Sequence, residues 1–459
     1  MGPGKTVVVR DPALAAHVQR QSPDRSFYGA ILEVTKRLVG FDDRAMEVVM
    51  AAALSPGKHL DLLIAQQAST LATQLREAHI SDTPISLMAF IQQHFTFASA
   101  LTLYGPHNPF ARNPSLLRDF WTYEAGMMKI LLSPWPWMTA RRAWKARERV
   151  NAGFTEYVER RGYEQGASAM IRQRVGMNLR YGLGEDVAAR SELIMLFAVL
   201  GNAVPGTFWT VVNLYGRPEL LRRVREEVEM NAVVEEEEED GGEGEGGKKR
   251  RLIDVARLKS HCPLLVSATR ESLRRISNMS SVRLVTRSHT ISAPGSNQPS
   301  YLLQKGTVVQ IASGVMHHDE QIWGKDAEDF VAERFINAPS ATLGQPKKGE
   351  SEDKTTATAS ITSLPPSVAP SAYRVFGGGS SLCPGRHFAM SEIVAFVALC
   401  VCMFDMEGEE GGVVEVPERD DRRVPLSVMK PVRDVRVRMR RRGGGREEWG
   451  VVVEFVSGG

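Results

Sequence analysis

Phe376-Gly-Gly-Gly-Ser-Ser-Leu-Cys383-Pro-Gly385-Arg-His-Phe-Ala389 joins a glycine-rich loop to an apolar helical run. Three consecutive glycines free the backbone to curl closely around a flat partner, because glycine alone visits positive φ at little cost. Pro384 and Gly385 then fix the turn, and from Arg386 the apolar spacing becomes helical. Cys383 thus stands just ahead of a helix N-terminus, where backbone N–H groups stabilise a sulfur anion and lower its pKa. A thiolate there is a candidate metal ligand; the alternative is a buried thiol in a glycine turn.

The spacing Phe376-x-x-Gly379-x-x-x-Cys383-x-Gly385 resembles the haem-binding loop of the cytochrome P450 family. The resemblance implies that Cys383 is the proximal thiolate ligand of the iron in haem b, iron protoporphyrin IX, with Phe376, Gly379, Gly385 and Arg386 beside the cofactor. Two positions before the cysteine, where the family often has Arg or His, this chain has Ser381, so a haem-propionate contact must come from elsewhere. Arg283 resembles a family arginine that grips a propionate, and its alternative is an exposed strand arginine. His59, next to Lys58 at a helix start, is a further propionate candidate or an exposed helix-start histidine.

Glu271 and Arg274 are three residues apart on one helix face and can pair there, which alone is ordinary on a solvated helix. Taken with Glu333-Arg334-Phe335 downstream, they resemble the Glu–Arg–Arg triad of the same family, here Glu271, Arg274 and Arg334. A buried carboxylate held by two guanidinium forks locks elements together, so the role implied is structural.

Gly201-Asn202-Ala203-Val204-Pro205-Gly206-Thr207-Phe208-Trp209 lies inside a long apolar stretch, Ser191 to Tyr215. Family members that activate oxygen usually carry an acid and an alcohol at the positions of Val204 and Pro205. Proline inside a helix removes a backbone hydrogen bond and bends the helix. The pattern resembles the branch containing cholesterol 7α-hydroxylase, oxysterol 7α-hydroxylase, sterol 12α-hydroxylase and prostacyclin synthase. That branch mixes monooxygenases with an isomerase. Asn202 and Thr207 are the catalytic candidates, orienting water or a substrate oxygen; alternatively Asn202 satisfies helix carbonyls freed by Pro205.

The chain has 459 residues, 43% hydrophobic and 24% charged, with a formal net charge of +3. A charge this small gives no reason to expect a nucleic-acid partner. Four cysteines, Cys262, Cys383, Cys400 and Cys402, show neither paired metal spacing nor a disulfide framework. The longest uncharged apolar run, Ile393 to Phe404, falls short of the roughly 20 residues that span a bilayer. The resemblance begins at the first strand, Val7-Val8-Val9, so a fungal-type form lacking its N-terminal anchor is expected, or else a naturally soluble one.

Val7 to Val18 reads as strand, Asp11-Pro12 helix start and helix; Leu60–Ala78, Ile85–Leu103 and Leu264–Ile276 are helical by spacing. Ser133-Pro-Trp135-Pro-Trp137 links two further helices and exposes two indoles, to an interface or against neighbouring helices. Residues 235–251 and 340–367 read as disordered low-complexity insertions. Helices dominate the middle and strands the flanks, which is the distribution of the single-domain cytochrome P450 fold, mainly α with small β-sheets, over residues 1–459. The resemblance further implies a monomer taking an apolar small-molecule substrate and electrons from an NADPH-dependent flavoprotein reductase. It also implies the cytosolic face of the endoplasmic reticulum membrane for a product that carries an anchor. Lipid-peroxide isomerisation, or haem binding without turnover, are the rival activities.

Overall fold

The computed structural model describes residues 5–20, 25–26, 53–237, 249–293, 299–336, 362–421, 428–445 and 448–452. Its principal helices are α1 (Pro12–Gln19), α2 (Lys58–Arg76), α3 (Leu87–Tyr104), α4 (Ser115–Leu132), α5 (Arg141–Glu159) and α6 (Ala169–Arg180). They continue with α7 (Glu185–Tyr215), α8 (Pro218–Asn231), α9 (Val255–His261), α10 (Pro263–Ile276) and α11 (Arg386–Met403). The expected start is present. Asp11 Oδ1 caps α1 by accepting from Leu14 N at 2.6 Å, and Pro12 fills the first helical position, where no N–H is needed.

α7 is the axis of the molecule, 31 residues long with Glu185 and Asp186 in its first turn, where they oppose the helix dipole. It continues unbroken past Pro205. Its second half, Ala203 to Tyr215, is buried throughout and fastened to three neighbours. Trp209 Nε1 donates to Met429 O at 2.8 Å, Asn213 Nδ2 to Ser272 Oγ of α10 at 3.1 Å, and the Tyr215 hydroxyl sits 2.9 Å from Cys400 O of α11. Gly206 allows this closeness: a Cβ there would lie 2.8 Å from Leu273 Cδ2 and 3.4 Å from Ile393 Cδ1. α7 and α11 are each long and apolar enough to cross a membrane, yet 61% and 78% of their apolar windows are buried in this core.

Among the described residues, twelve strands form small sheets. β1 (Thr6–Val9), β9 (Val308–Ala312), β6 (Ser280–Val285) and β2 (Arg25–Ser26) make a four-stranded sheet in that order, with β1 and β9 parallel. Val9, Val285, Val309 and Ile311 on it bury Ala15 and Val18 of α1 in a second core. β7 (His289–Ser292) and β8 (Ser300–Leu303) form a hairpin. β10 (Phe404–Gly408) and β3 (Ile85–Ser86) flank β11 (Arg436–Arg441), whose Val437 and Met439 point inward while Arg436 and Arg440 are exposed.

The last sheet corrects the reading of a disordered insertion at residues 235–237 and 249–251. β4 (Val233–Glu237) pairs antiparallel with β5 (Lys249–Asp254), and β12 (Glu448–Val452) covers the other edge of β5. Glu235 stands opposite Arg251 and Glu236 opposite Arg250, so the charge runs that make the segment look unfoldable face each other across the ladder. Arg251 also lies over the Trp449 ring, 4.7 Å from its centroid. Residues 238–248 lie outside the described part. Of residues 340–367, those from Thr362 onward are held, Thr362 bridging to Ile336 and Ser363 N donating to Phe335 O at 2.9 Å; residues 340–361 lie outside the described part.

Candidate active site

The cysteine loop is shaped by two left-handed glycines and one close neighbour. Gly377 (φ +78°) and Gly379 (φ +59°) hold conformations that L side chains rarely adopt. A Cβ on Gly378 would lie 2.7 Å from Gln19 Oε1, and one on Gly379 2.7 Å from Gln19 O, so the loop is packed directly on the C-terminus of α1. Cys383 N donates to Phe376 O at 2.9 Å, closing the loop, and Arg386 Nη1 donates to Cys383 O at 3.2 Å. Phe376 packs against the main core. At Gly385 φ is −79°, and a Cβ would meet nothing closer than 3.7 Å, so neither strain nor space demands glycine there.

Cys383 stands ahead of α11 as the sequence implies, but the expected fall in its pKa is not found. Burial pushes the thiol up, and this outweighs the downward pull of the Gly385 N–H and the Arg386 guanidinium. The helix terminus is present; the desolvation is larger. Cys262, Cys400 and Cys402 are buried free thiols, pushed up chiefly by burial.

Glu271, Arg274 and Arg334 meet. Arg274 Nε and Nη2 form a fork on Glu271 Oε2 and Oε1, both at 2.8 Å, and Arg334 Nε adds a bond to Oε1 at 3.0 Å. Glu271 and Arg274 have no exposed surface. Arg274 also donates to the carbonyls of His317 and Ala327, and Arg334 Nη2 to Asp326 O, so the cluster ties α10 to the segment before the cysteine loop.

Arg283, buried on β6, reaches that loop, its Nη2 donating to Ser381 Oγ at 2.8 Å. Close by is a residue that the motif reading missed. Arg374 is 1% exposed, its Nη1 donates to Gln19 Oε1 at 3.0 Å, and its Nε and Nη2 are buried with no hydrogen-bond partner among the described residues. Burial and the nearby Arg283 draw its pKa down to about 10. Two buried guanidiniums that repel each other beside a flat-curled glycine loop suit an anionic planar group, and a haem with two propionates is one. The signal was available in the sequence: a lone charge in Tyr373-Arg374-Val375-Phe376. Gln19 carried no such signal.

On the first half of α7, Ala198 and Asn202 are exposed, with Ile194, Phe197, Val199 and Gly201 half-buried beside them. Asn202 is exposed on this otherwise apolar stripe. Thr207 is fully buried, and its hydroxyl donates to Ala203 O at 2.9 Å, back along its own helix. His59 is exposed in the first turn of α2, and no bond joins it to the cysteine loop among the described residues.

The cytochrome P450 family model matches residues 1–433. The chain is 30% identical to a cytochrome P450 monooxygenase, nodJ, of Hypoxylon pulicicidum over 88% of its length and 69% of the relative's. It is 28% identical to a cytochrome P450 monooxygenase of Gibberella zeae, over 99% and 83% of the two chains. It is also 25% identical to the cholesterol 7-alpha-monooxygenase of Cricetulus griseus, over 76% and 64%. The chain belongs to the cytochrome P450 family, haem oxidoreductases that incorporate oxygen from O2 into their substrates.

Proposed function

We propose that this enzyme hydroxylates a sterol-like or other apolar lipid or secondary metabolite, as a monomer, with electrons from an NADPH-dependent flavoprotein reductase. What carries the reading is the stretch of α7 from Ile194 to Asn202, where Ile194, Phe197, Ala198 and Val199 offer apolar surface with one amide, Asn202, the charges Asp186 and Arg190 pairing with each other further up the same face. A small apolar molecule lies on such a surface, and the amide orients its oxygen or a water.

Haem bound through Cys383 supplies oxygen activation, with an electron-rich thiolate that favours O–O cleavage. The residues of this chain hold and shape that site. Arg283 and Arg374 would hold the propionates, in place of the contact that Ser381 cannot make, and Arg386 braces the Cys383 carbonyl. The Glu271–Arg274–Arg334 cluster keeps the segment leading to the loop in register. Thr207 is turned to its own helix, so Asn202 is the polar group left on the stripe to guide a proton or a substrate oxygen.

The exposed Trp135 and Trp137 agree with work at a membrane surface, the cytosolic face of the endoplasmic reticulum for a product that carries an anchor. The reading is tested by supplying the haem-loaded enzyme with reductase and NADPH and screening sterols beside fatty-acid hydroperoxides. Oxygenated product that requires NADPH is expected. Rearranged peroxide formed without NADPH would replace the reading with isomerisation.

A further inference from the structure

Away from the cysteine loop, a groove of about 780 Å³ opens among α3, α4 and α5. Its floor is apolar, made by Leu117, Trp121 and Met138, and four cations rim it: Arg118, Lys129, Arg141 and Arg142. No carboxylate lines it. The nearby acids on α4 and α5 are committed elsewhere: Asp119 pairs with Arg149, Glu124 with Lys430 and Glu148 with Arg147. None of the four cations forms an ion pair among the described residues, so the groove keeps its whole positive charge. α4 and α5 run antiparallel through a tight contact at Gly126, where a Cβ would lie 2.3 Å from Ala143 Cβ. Lys129, Arg141 and Arg142 therefore gather at one end.

That end adjoins an exposed apolar cluster. Leu132 and Met138 are each 71% exposed, Trp135 58% and Trp137 50%, and Met138 belongs both to this cluster and to the groove floor. Tryptophans on a protruding turn favour the bilayer interface, whereas unneutralised Lys and Arg at the same level favour anionic headgroups. An apolar floor ending in a cationic mouth needs a ligand with the same polarity.

We propose that the groove binds one anionic phospholipid, its phosphate held by Lys129, Arg141 and Arg142 and an acyl chain lying on Trp121, Leu117 and Met138. The site is separate from the haem site and does not depend on which substrate is oxidised. Binding of the haem-loaded full chain is measured with phosphatidylcholine vesicles made with and without phosphatidylserine. Short-chain phosphatidylserine below its micelle concentration, followed by quenching of tryptophan fluorescence, reports the single site, with inorganic phosphate as the comparison. The expected result is at least about tenfold preference for phosphatidylserine vesicles, and saturation by one short-chain lipid per protein. The triple change Lys129→Gln, Arg141→Gln, Arg142→Gln should abolish both while the haem spectrum and melting temperature stay as in the wild type, since all three side chains are exposed. Trp135→Ser with Trp137→Ser should weaken binding to both vesicle types but spare the preference. Equal binding to the two compositions, a preference that survives the triple change, or quenching by inorganic phosphate as strong as by the lipid would overturn the proposal.

Discussion

At the scale of single residues, the arginines and carboxyls that lack partners make the sharpest predictions. Arg374 has two buried N–H groups without a partner among the described residues, and the loss of one charge-assisted bond from them to a propionate would cost about 1.5–3 kcal/mol. Arg374→Gln should therefore release haem to apomyoglobin roughly 10- to 100-fold faster, and an unchanged transfer rate would remove Arg374 from the site. Glu392, buried on α11, presents the opposite case. Gln67 Nε2 donates to its Oε2 at 3.3 Å, while Gln67 Oε1 and Glu392 Oε1 both lack partners among the described residues. Burial raises the Glu392 pKa well above the usual 4.5. As pH rises past that value the unfolded chain loses this proton and the folded one keeps it, so this group lowers stability with increasing pH. Glu392→Gln should raise the melting temperature at pH 7 to 8 and leave it nearly unchanged at pH 4; a gain independent of pH would show that the acid is ionised when folded. For Asn202, replacement by leucine should increase peroxide released per NADPH consumed more than it weakens substrate binding, because the amide acts on protons rather than on affinity. Equal coupling in both proteins would assign Asn202 to the helix alone.

Between elements, the decisive contacts are few and buried. The triad joins α10 to the segment that ends at the cysteine loop, and removing one partner leaves a buried charge unpaired at a cost of about 3–5 kcal/mol. Glu271→Ala and Arg334→Ala are expected to lower the yield of folded, haem-containing protein, measured as the ratio of haem absorbance to protein, while the fraction that folds keeps near-normal turnover. A normal yield with slow turnover would move the triad from scaffold to chemistry. The pair Glu271 and Arg274 was legible from its three-residue spacing, since helix geometry alone puts such residues together. The loop's seat on Gln19 was not legible, because 355 positions separate Gln19 from Arg374 and nothing local links them.

Over the whole molecule, α7 organises the packing, and the sheet of β4, β5 and β12 shows how chain ends are recruited to it. Replacing residues 238–248 by a two-residue turn keeps the β4–β5 ladder and should change the melting temperature by no more than about 2 °C, whereas removing β4 entirely unpairs one edge of β5 and should cost several times more. Equal losses in both would mean that the connecting segment itself is docked. The sequence by itself determined that Cys383 ends a glycine loop ahead of a helix, the first helix start, the Glu271–Arg274 pair and the mainly α architecture, because each rests on spacing along the chain or on a short pattern that one backbone conformation imposes. Only the tertiary structure decided that Glu235 and Glu236 face Arg251 and Arg250, that β12 completes their sheet, and that Arg374 joins Ser381 beside Arg283. It also decided how deeply Cys383 is buried, and that burial raises the thiol's pKa more than the Gly385 N–H and Arg386 lower it. Those outcomes depend on which distant surfaces exclude water from a residue, and desolvation is a property of the packed molecule that no local pattern of side chains contains.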